Sequence, residues 1–212
     1  MAGGALTPMA EWRQNFTAGR GHLLSFQVPI AETPIADTIE DLQAELDEID
    51  GLVMFEREML HISLLGVGFQ VIAKKRADDV SREDVGRITK QATGLVRGAK
   101  PFEIAVGPVN VFPGALILEV RDAGQLADLR QRLSATVDDA FGLANTQYLP
   151  HVTIAMFGDP SCAGALRDRL QALRDRPATQ ATIRRIELAR WWFTGGDTDL
   201  PERDPVRSYP LR

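Results

Sequence analysis

Apolar residues change period several times along the chain, and each change marks a new element. HLLSFQVP, from His22 to Pro29, is a short apolar run entered from a Gly19 to Gly21 turn and closed by proline, which predicts a strand. Between Pro34 and Ile49 the period lengthens: Ile35, Ile39, Leu42, Leu46 and Ile49 recur at the spacing of one helix face, and Gly51 supplies a stop. Met59 to Gly66 (MLHISLLG) returns to a strand. A second helix begins at Ser81 and presents Val85, Ile88, Ala92 and Leu95, with Pro101 as its breaker. Phe102 to Val109 and Ala115 to Arg121 read as two strands of a hairpin around a turn from Asn110 to Gly114.

The order then repeats, with a helix from about Gln125 to Phe141, a strand from Tyr148 to Phe157, a helix from Ser161 to Leu173 and a strand from Thr182 to Phe193. Counted from Ala115, the second half runs strand, helix, histidine strand, helix, strand, as the first does. Leu23 to His61 spans 38 positions and Ala115 to His151 spans 36, so the registers nearly match. Such a repeat predicts an α+β fold that is bilobal and duplicated, with two antiparallel sheets, helices on the outer faces and a central cleft on a pseudo-twofold axis. The expected organisation is a single domain, 1–212, made of lobes at about 20–110 and 111–193 and a C-terminal tail, 194–212. In the tail, GGDTDLPERDP has loop composition and VRSYPL is expected to add a short edge strand.

Composition narrows the class. With 44% hydrophobic and 25% charged residues, the chain can bury a core and stands well away from disorder. The longest apolar run, around Val152 to Phe157, falls far short of the roughly 20 residues a membrane span needs, so no membrane association is expected. The start, MAGGALTPMAEWRQ, has neither a basic nor an apolar leader region, which makes the cytoplasm the expected compartment. Cys162 is the single cysteine, so neither an intramolecular disulfide nor a CxxC metal spacing is available and structural zinc is not expected. A net charge of −5 lacks the dense basic surface that binds long nucleic acid. Twenty of the 24 basic residues are arginine, whose planar fork suits phosphate, although coding bias gives the same excess. A small phosphorylated ligand in a local pocket is compatible with this acidic exterior.

Two of the three histidines share one context: His61-Ile62-Ser63-Leu64 and His151-Val152-Thr153-Ile154. Side chains alternate along a strand, so His61 and Ser63 face one way while Ile62 and Leu64 face the core, and His151 and Thr153 do likewise. Two facing lobes would then surround one cavity with two imidazoles and two hydroxyls. Chemistry at phosphorus needs a group that takes a proton from the attacking hydroxyl and another that protonates the departing alkoxide. Histidine, with an ordinary pKa of about 6.5, can serve as either near neutral pH. Ser63 and Thr153 can donate hydrogen bonds to non-bridging phosphoryl oxygens, orienting the phosphate and stabilising developing charge.

At these residues the chain resembles the two-histidine (2H) phosphoesterase superfamily, whose mark is a pair of H-x-[ST]-hydrophobic motifs; here the two histidines stand 90 positions apart. The resemblance runs from about His22 to Arg190 and includes PFEIAVGPVNVFPGALILEV, similar to the family's central hairpin, and YLPHVTIA, similar to its second motif. It implies a bilobal fold, no required metal or other cofactor, His61 and His151 as catalytic acid and base, and Ser63 and Thr153 as phosphate holders. The implied substrate is a small nucleotide or RNA terminus carrying a 2′,3′-cyclic phosphate, or a small 2′-5′ or cyclic phosphodiester. Family members called RNA ligases commonly read H-x-T-L-x-F-L-G at the first motif and carry an arginine soon after the second. This chain has HISLLGVG, and Ala155-Met156-Phe157 after the second motif, which argues against ligation. Two alternatives stay open: a non-catalytic module that binds a nucleotide or RNA end, and an RNA 2′-5′ ligase.

Other residues carry weaker signals. Tyr148, just before the second motif, and Trp192, of the Trp191-Trp192 pair, are candidate cleft aromatics, since adjacent strand residues face opposite ways. His22 has Leu24 where a hydroxyl partner would stand and reads as structural. Cys162 has no nearby histidine and reads as inert.

Overall fold

Proline at the first helical position and an apolar stripe set the first long helix: α2 (Pro34–Leu46) begins after Thr33 and buries Ile35, Ala36, Ile39, Leu42 and Leu46. Ile49, the last residue of the expected stripe, lies beyond the helix but is still buried. The computed structural model describes residues 6–137 and 147–212. Before α2 come α1 (Met9–Thr17), which the apolar pattern does not announce, and β1 (His22–Pro29). After it come β2 (Leu52–Met54), β3 (His61–Gln70), β4 (Asp79–Val80) and α3 (Arg82–Val96). A capping box opens α3, with the Ser81 hydroxyl accepting from the Asp84 N–H and the Asp84 carboxylate accepting from the Ser81 N–H. Its buried face ends on Val96 rather than the expected Leu95, because three steps of three to four residues from Val85 through Ile88 and Ala92 lead there.

The hairpin is longer than its pattern suggests. β5 runs from Phe102 to Phe112, pairing Val111 with Leu116 and Phe112 with Ala115, so the turn before β6 (Ala115–Arg121) shrinks to Pro113-Gly114. α4 (Gln125–Ser134) covers the first part of the expected helix to Phe141, whose end lies outside the described residues. β7 (His151–Phe157) starts after Pro150, and α5 (Ala163–Arg174) follows it. The single strand expected from Thr182 to Phe193 is two strands, β8 (Thr179–Ile183) and β9 (Arg185–Trp192). The first pairs with β5 and the second with β1. The tail contributes β10 (Glu202–Pro210), an edge strand beginning before the expected VRSYPL and carrying Pro205 and Pro210, as an edge tolerates.

The two expected sheets are one. The strand order is β10-β9-β1-β3-β7-β6-β5-β8, with β2 beside β7 and β4 beside β3, and the halves meet where Ile62 of β3 pairs with Val152 of β7. Each motif strand would otherwise leave an unpaired edge, and pairing them removes both. Among the described residues all pairings are antiparallel except the short β3–β4 contact. Only Arg184 separates β8, at one end of this order, from β9, near the other, so the sheet has to curl back towards itself. α5 packs on β5, α2 on β8, and α4 on β3 and α3. Ile62, Leu64, Val152 and Ile154, all at 0% exposure, belong to one hydrophobic cluster with residues of α2, α3, α4 and α5. The protein is thus a mixed α/β fold with a curled, mainly antiparallel sheet. Five α-helices are present among the described residues.

Candidate functional site

Alternation along the two central strands sorts the motif residues by face. Ile62, Leu64, Val152 and Ile154 go to the core, leaving His61, Ser63, His151 and Thr153 to line one cleft of about 620 Å3. That volume lies within the roughly 300–1,000 Å3 of small-molecule sites. β3 and β7 touch through the Ile62–Val152 pair, so each motif histidine sits one residue before the junction of the halves. Two distant sequence segments thereby place two imidazoles and two hydroxyls around one space.

Both rings are held by the same device. His61 Nδ1 lies 2.7 Å from the Met59 carbonyl oxygen, and His151 Nδ1 lies 2.8 Å from that of Leu149. A carbonyl can only accept, so each Nδ1 carries the proton and each Nε2 is the nitrogen left for chemistry. At His61 that nitrogen is 3.1 Å from Ser63 Oγ, whose hydroxyl donates to it. The carbonyl two residues upstream is supplied by the end of a 3-10 turn, Arg57–Met59, in the first motif and by the stretch ahead of Pro150 in the second.

Burial pushes the His61 imidazolium down to a pKa of about 4; the hydrogen bond to Met59 opposes this, while the positive charge of Arg203 and of His151 adds to it. The two imidazoles line the same cleft, which is why the charge of one bears on the other. Trp191 packs against this imidazole, its ring centroid 4.7 Å from that of His61. Trp191 is fixed from behind, its indole N–H donating to Ser25 Oγ at 3.1 Å and Gln27 Oε1 at 3.2 Å. His151 has an aromatic neighbour of its own, Phe112, with centroids 4.9 Å apart and the rings edge to face.

The tryptophan pair is divided the other way from the sequence expectation. Trp191 faces the cleft, whereas Trp192 lies against His22, at 4.2 Å between centroids, and under the Arg190 guanidinium at 5.3 Å. Parity along β9 alone could not decide this, because both of its faces are largely buried. Tyr148 is not among the residues lining the main cleft; it borders a smaller hollow beside it, which shares Ser63 and His151. Its hydroxyl donates to the Ser63 carbonyl at 2.9 Å, and the Arg130 guanidinium sits 4.9 Å from its ring centroid. Cys162 is buried, which raises its thiol pKa. Among the described residues no group of three or more His, Cys, Asp or Glu side chains stands ready to hold a metal ion, and no helix is long and apolar enough to cross a membrane.

A mixed α/β fold built around paired H-x-[ST] strands defines a class, and the family comparison agrees with it. The family described as the 2′-5′ RNA ligase superfamily matches residues 31–192, about three quarters of the chain. The chain belongs to this superfamily, the two-histidine phosphoesterases. Among solved structures, TT0787 of Thermus thermophilus is similar at 17% identity and TM-score 0.64, covering 90% of this chain and 98% of TT0787. E. coli LigT, in its complex with 3′-AMP, is similar at 16% identity and TM-score 0.64 over 90% of this chain and 98% of LigT; a LigT complex with NADP+ gives the same values. No curated protein matches the sequence.

Proposed function

We propose that the protein is a phosphodiesterase that opens 2′,3′-cyclic phosphates, or small 2′-5′ or cyclic phosphodiesters, of nucleotides or RNA ends without a metal ion. The observation that carries this is the pair of equivalently held imidazoles, each with Nδ1 bonded to the chain and Nε2 available, next to a hydroxyl in one cleft. That the similar LigT has been solved with 3′-AMP and with NADP+ agrees with a small nucleotide as ligand. The palindromic strand order further supports a duplication, β1, β3 and β5 of one copy answering β6, β7 and β9 of the other about a pseudo-twofold axis through the Ile62–Val152 pair. In this arrangement the third strand of each copy pairs with the first strand of the other, and the lobes form one domain.

In the proposed reaction the phosphate enters between the motifs, and Ser63 turns its hydroxyl from His61 Nε2 to a non-bridging oxygen, matched by Thr153. His61 is uncharged at neutral pH and takes the proton of the attacking water as its oxygen bonds to phosphorus. As the bond from phosphorus to the 2′ or 3′ oxygen breaks, His151, which for this step has to carry a proton on Nε2 as well as the one Nδ1 shares with Leu149, gives the Nε2 proton to that oxygen. The products are a nucleoside monophosphate and an enzyme with one proton exchanged between the rings. Hydrolysis of 2′,3′-cyclic AMP to a monophosphate in the presence of EDTA is the expected result. Full dependence on an added divalent ion, or binding without turnover over long incubation, would remove the proposal.

The pH profile has a definite sign. The acceptor must be unprotonated, and His61 gains its proton only below about pH 4. The acid limb of kcat/KM is therefore expected near pH 4, with no loss between pH 7 and pH 5 from this group. A limb at pH 6 to 7 in initial-rate measurements would contradict the assignment of His61 as acceptor.

A further inference from the structure

One wall of the cleft comes from a helix outside the family-matched segment. The Thr7 N–H, just ahead of α1, donates to the Pro113 carbonyl at 2.7 Å in the β5–β6 turn. At the other side, the buried Arg13 guanidinium donates to the carbonyls of Gly195 at 2.9 Å, Gly196, and Asp199 at 3.1 Å, in the segment after β9. These bonds tie α1 to both half-sheets. They hold Trp12 stacked on Phe16, with centroids 5.0 Å apart and planes at 14°, and both rings lie against Phe193 at 6.3 and 6.4 Å. Trp12, Phe16 and Phe193 line the same cleft as His61 and His151, and among the described residues no aspartate, glutamate, lysine or arginine lines it.

We propose that this wall selects the substrate: a phosphodiester monoanion whose esterified body is uncharged and aromatic, such as a 2′,3′-cyclic mononucleotide with a free 5′-hydroxyl. This rests on the assignment of the two motifs as the phosphate site. The phosphate sits among the imidazoles and hydroxyls, and the base stacks on the rings of Trp12 and Phe193. Stacking of one base on an aromatic side chain contributes on the order of ten-fold or more in affinity and tolerates any base. A second phosphate placed along this wall would lose water and find no cation among the described lining residues, so charge beyond the reacting diester is rejected. The cleft volume of about 620 Å3 fits a mononucleotide of this kind.

Calorimetric titration of the His151→Ala protein separates binding from turnover. The expected result is that 2′,3′-cyclic AMP binds at least ten-fold tighter than its 5′-phosphorylated form. Adding Trp12→Ala should weaken 2′,3′-cyclic AMP at least ten-fold, and Trp12→Phe should restore most of that loss. Equal affinity for the two ligands, or unchanged affinity after Trp12→Ala in a protein whose melting temperature is retained, overturns the inference. If Trp12→Ala fails to fold, the comparison of the two ligands on the parent protein still decides. Unselective hydrolysis of both ligands by the unmutated enzyme would refute the wall's role and leave the phosphodiesterase standing; selective binding with no hydrolysis would do the reverse.

Discussion

Alanine in place of His61 or of His151 is expected to lower kcat/KM for 2′,3′-cyclic nucleotides by about 10²- to 10⁴-fold each, the usual worth of a positioned acid or base. The two losses should not add in the double variant, because in the proposed reaction both rings serve one transition state. The His61 variant should also lose the acid limb near pH 4, since the group that produces it has been removed. Neither ring is a core side chain: His61 and His151 are only partly buried, while Ile62 and Val152 beside them are at 0% exposure. Near-native melting temperatures are therefore expected, and comparing them with initial rates separates chemistry from folding. Full activity in both variants would refute the assigned roles. A protein that binds nucleotide but shows no turnover even unmutated would instead be the binding module.

Replacing Trp191 by alanine is expected to cost about 3–5 kcal/mol of stability, the range for emptying a buried aromatic site. The residue is 4% exposed, and its indole N–H is the donor to Ser25 and Gln27, both themselves buried. Loss of the ring leaves a cavity and a Gln27 carbonyl oxygen without that donor. The same change admits water to His61, whose depressed pKa comes mainly from burial. The acid limb of kcat/KM should then move up from about pH 4 towards the ordinary histidine value of about 6.5. Trp191→Phe should keep the limb low while still losing the two hydrogen bonds. Urea unfolding and pH–rate profiles of the two variants test both statements; an acid limb that stays near pH 4 in Trp191→Ala would show that other groups set the environment of His61.

Where one periodicity governs a segment, the chain announces its structure. The motif strands can be oriented from sequence because Ile62, Leu64, Val152 and Ile154 alternate with polar partners, and α2 and α3 show their apolar faces at helical spacing. α1 is silent for a physical reason. Its buried positions are Met9, Arg13 and Thr17, at helical spacing, but two of the three are polar, because that face serves carbonyl groups and not the core alone. Hydrophobic patterning cannot register a helix held by a guanidinium, so it does not reveal the rings of Trp12 and Phe16 in the cleft. The choice between Trp191 and Trp192 is illegible for another reason: both faces of β9 are largely buried, and its orientation depends on pairing with β1, whose partner residues stand 160 to 170 positions upstream. The union of two sheets into one likewise depends on the single Ile62–Val152 pairing, which leaves no local signal.

That same β1–β9 pairing sets an order of events during synthesis. Leu23 and His61 are made well before Trp191 and Arg203, which flank or charge the surroundings of His61. Non-local strand pairings of this kind form slowly, because distant segments must first be brought together. A nascent chain therefore possesses both histidines, and even the hairpin beside the second, while the first is still an ordinary solvated imidazole. Its proton affinity reaches the folded value only when β9 and β10 take their places beside it, so the proposed proton-transfer chemistry depends on a non-local step of folding and not on the motif alone.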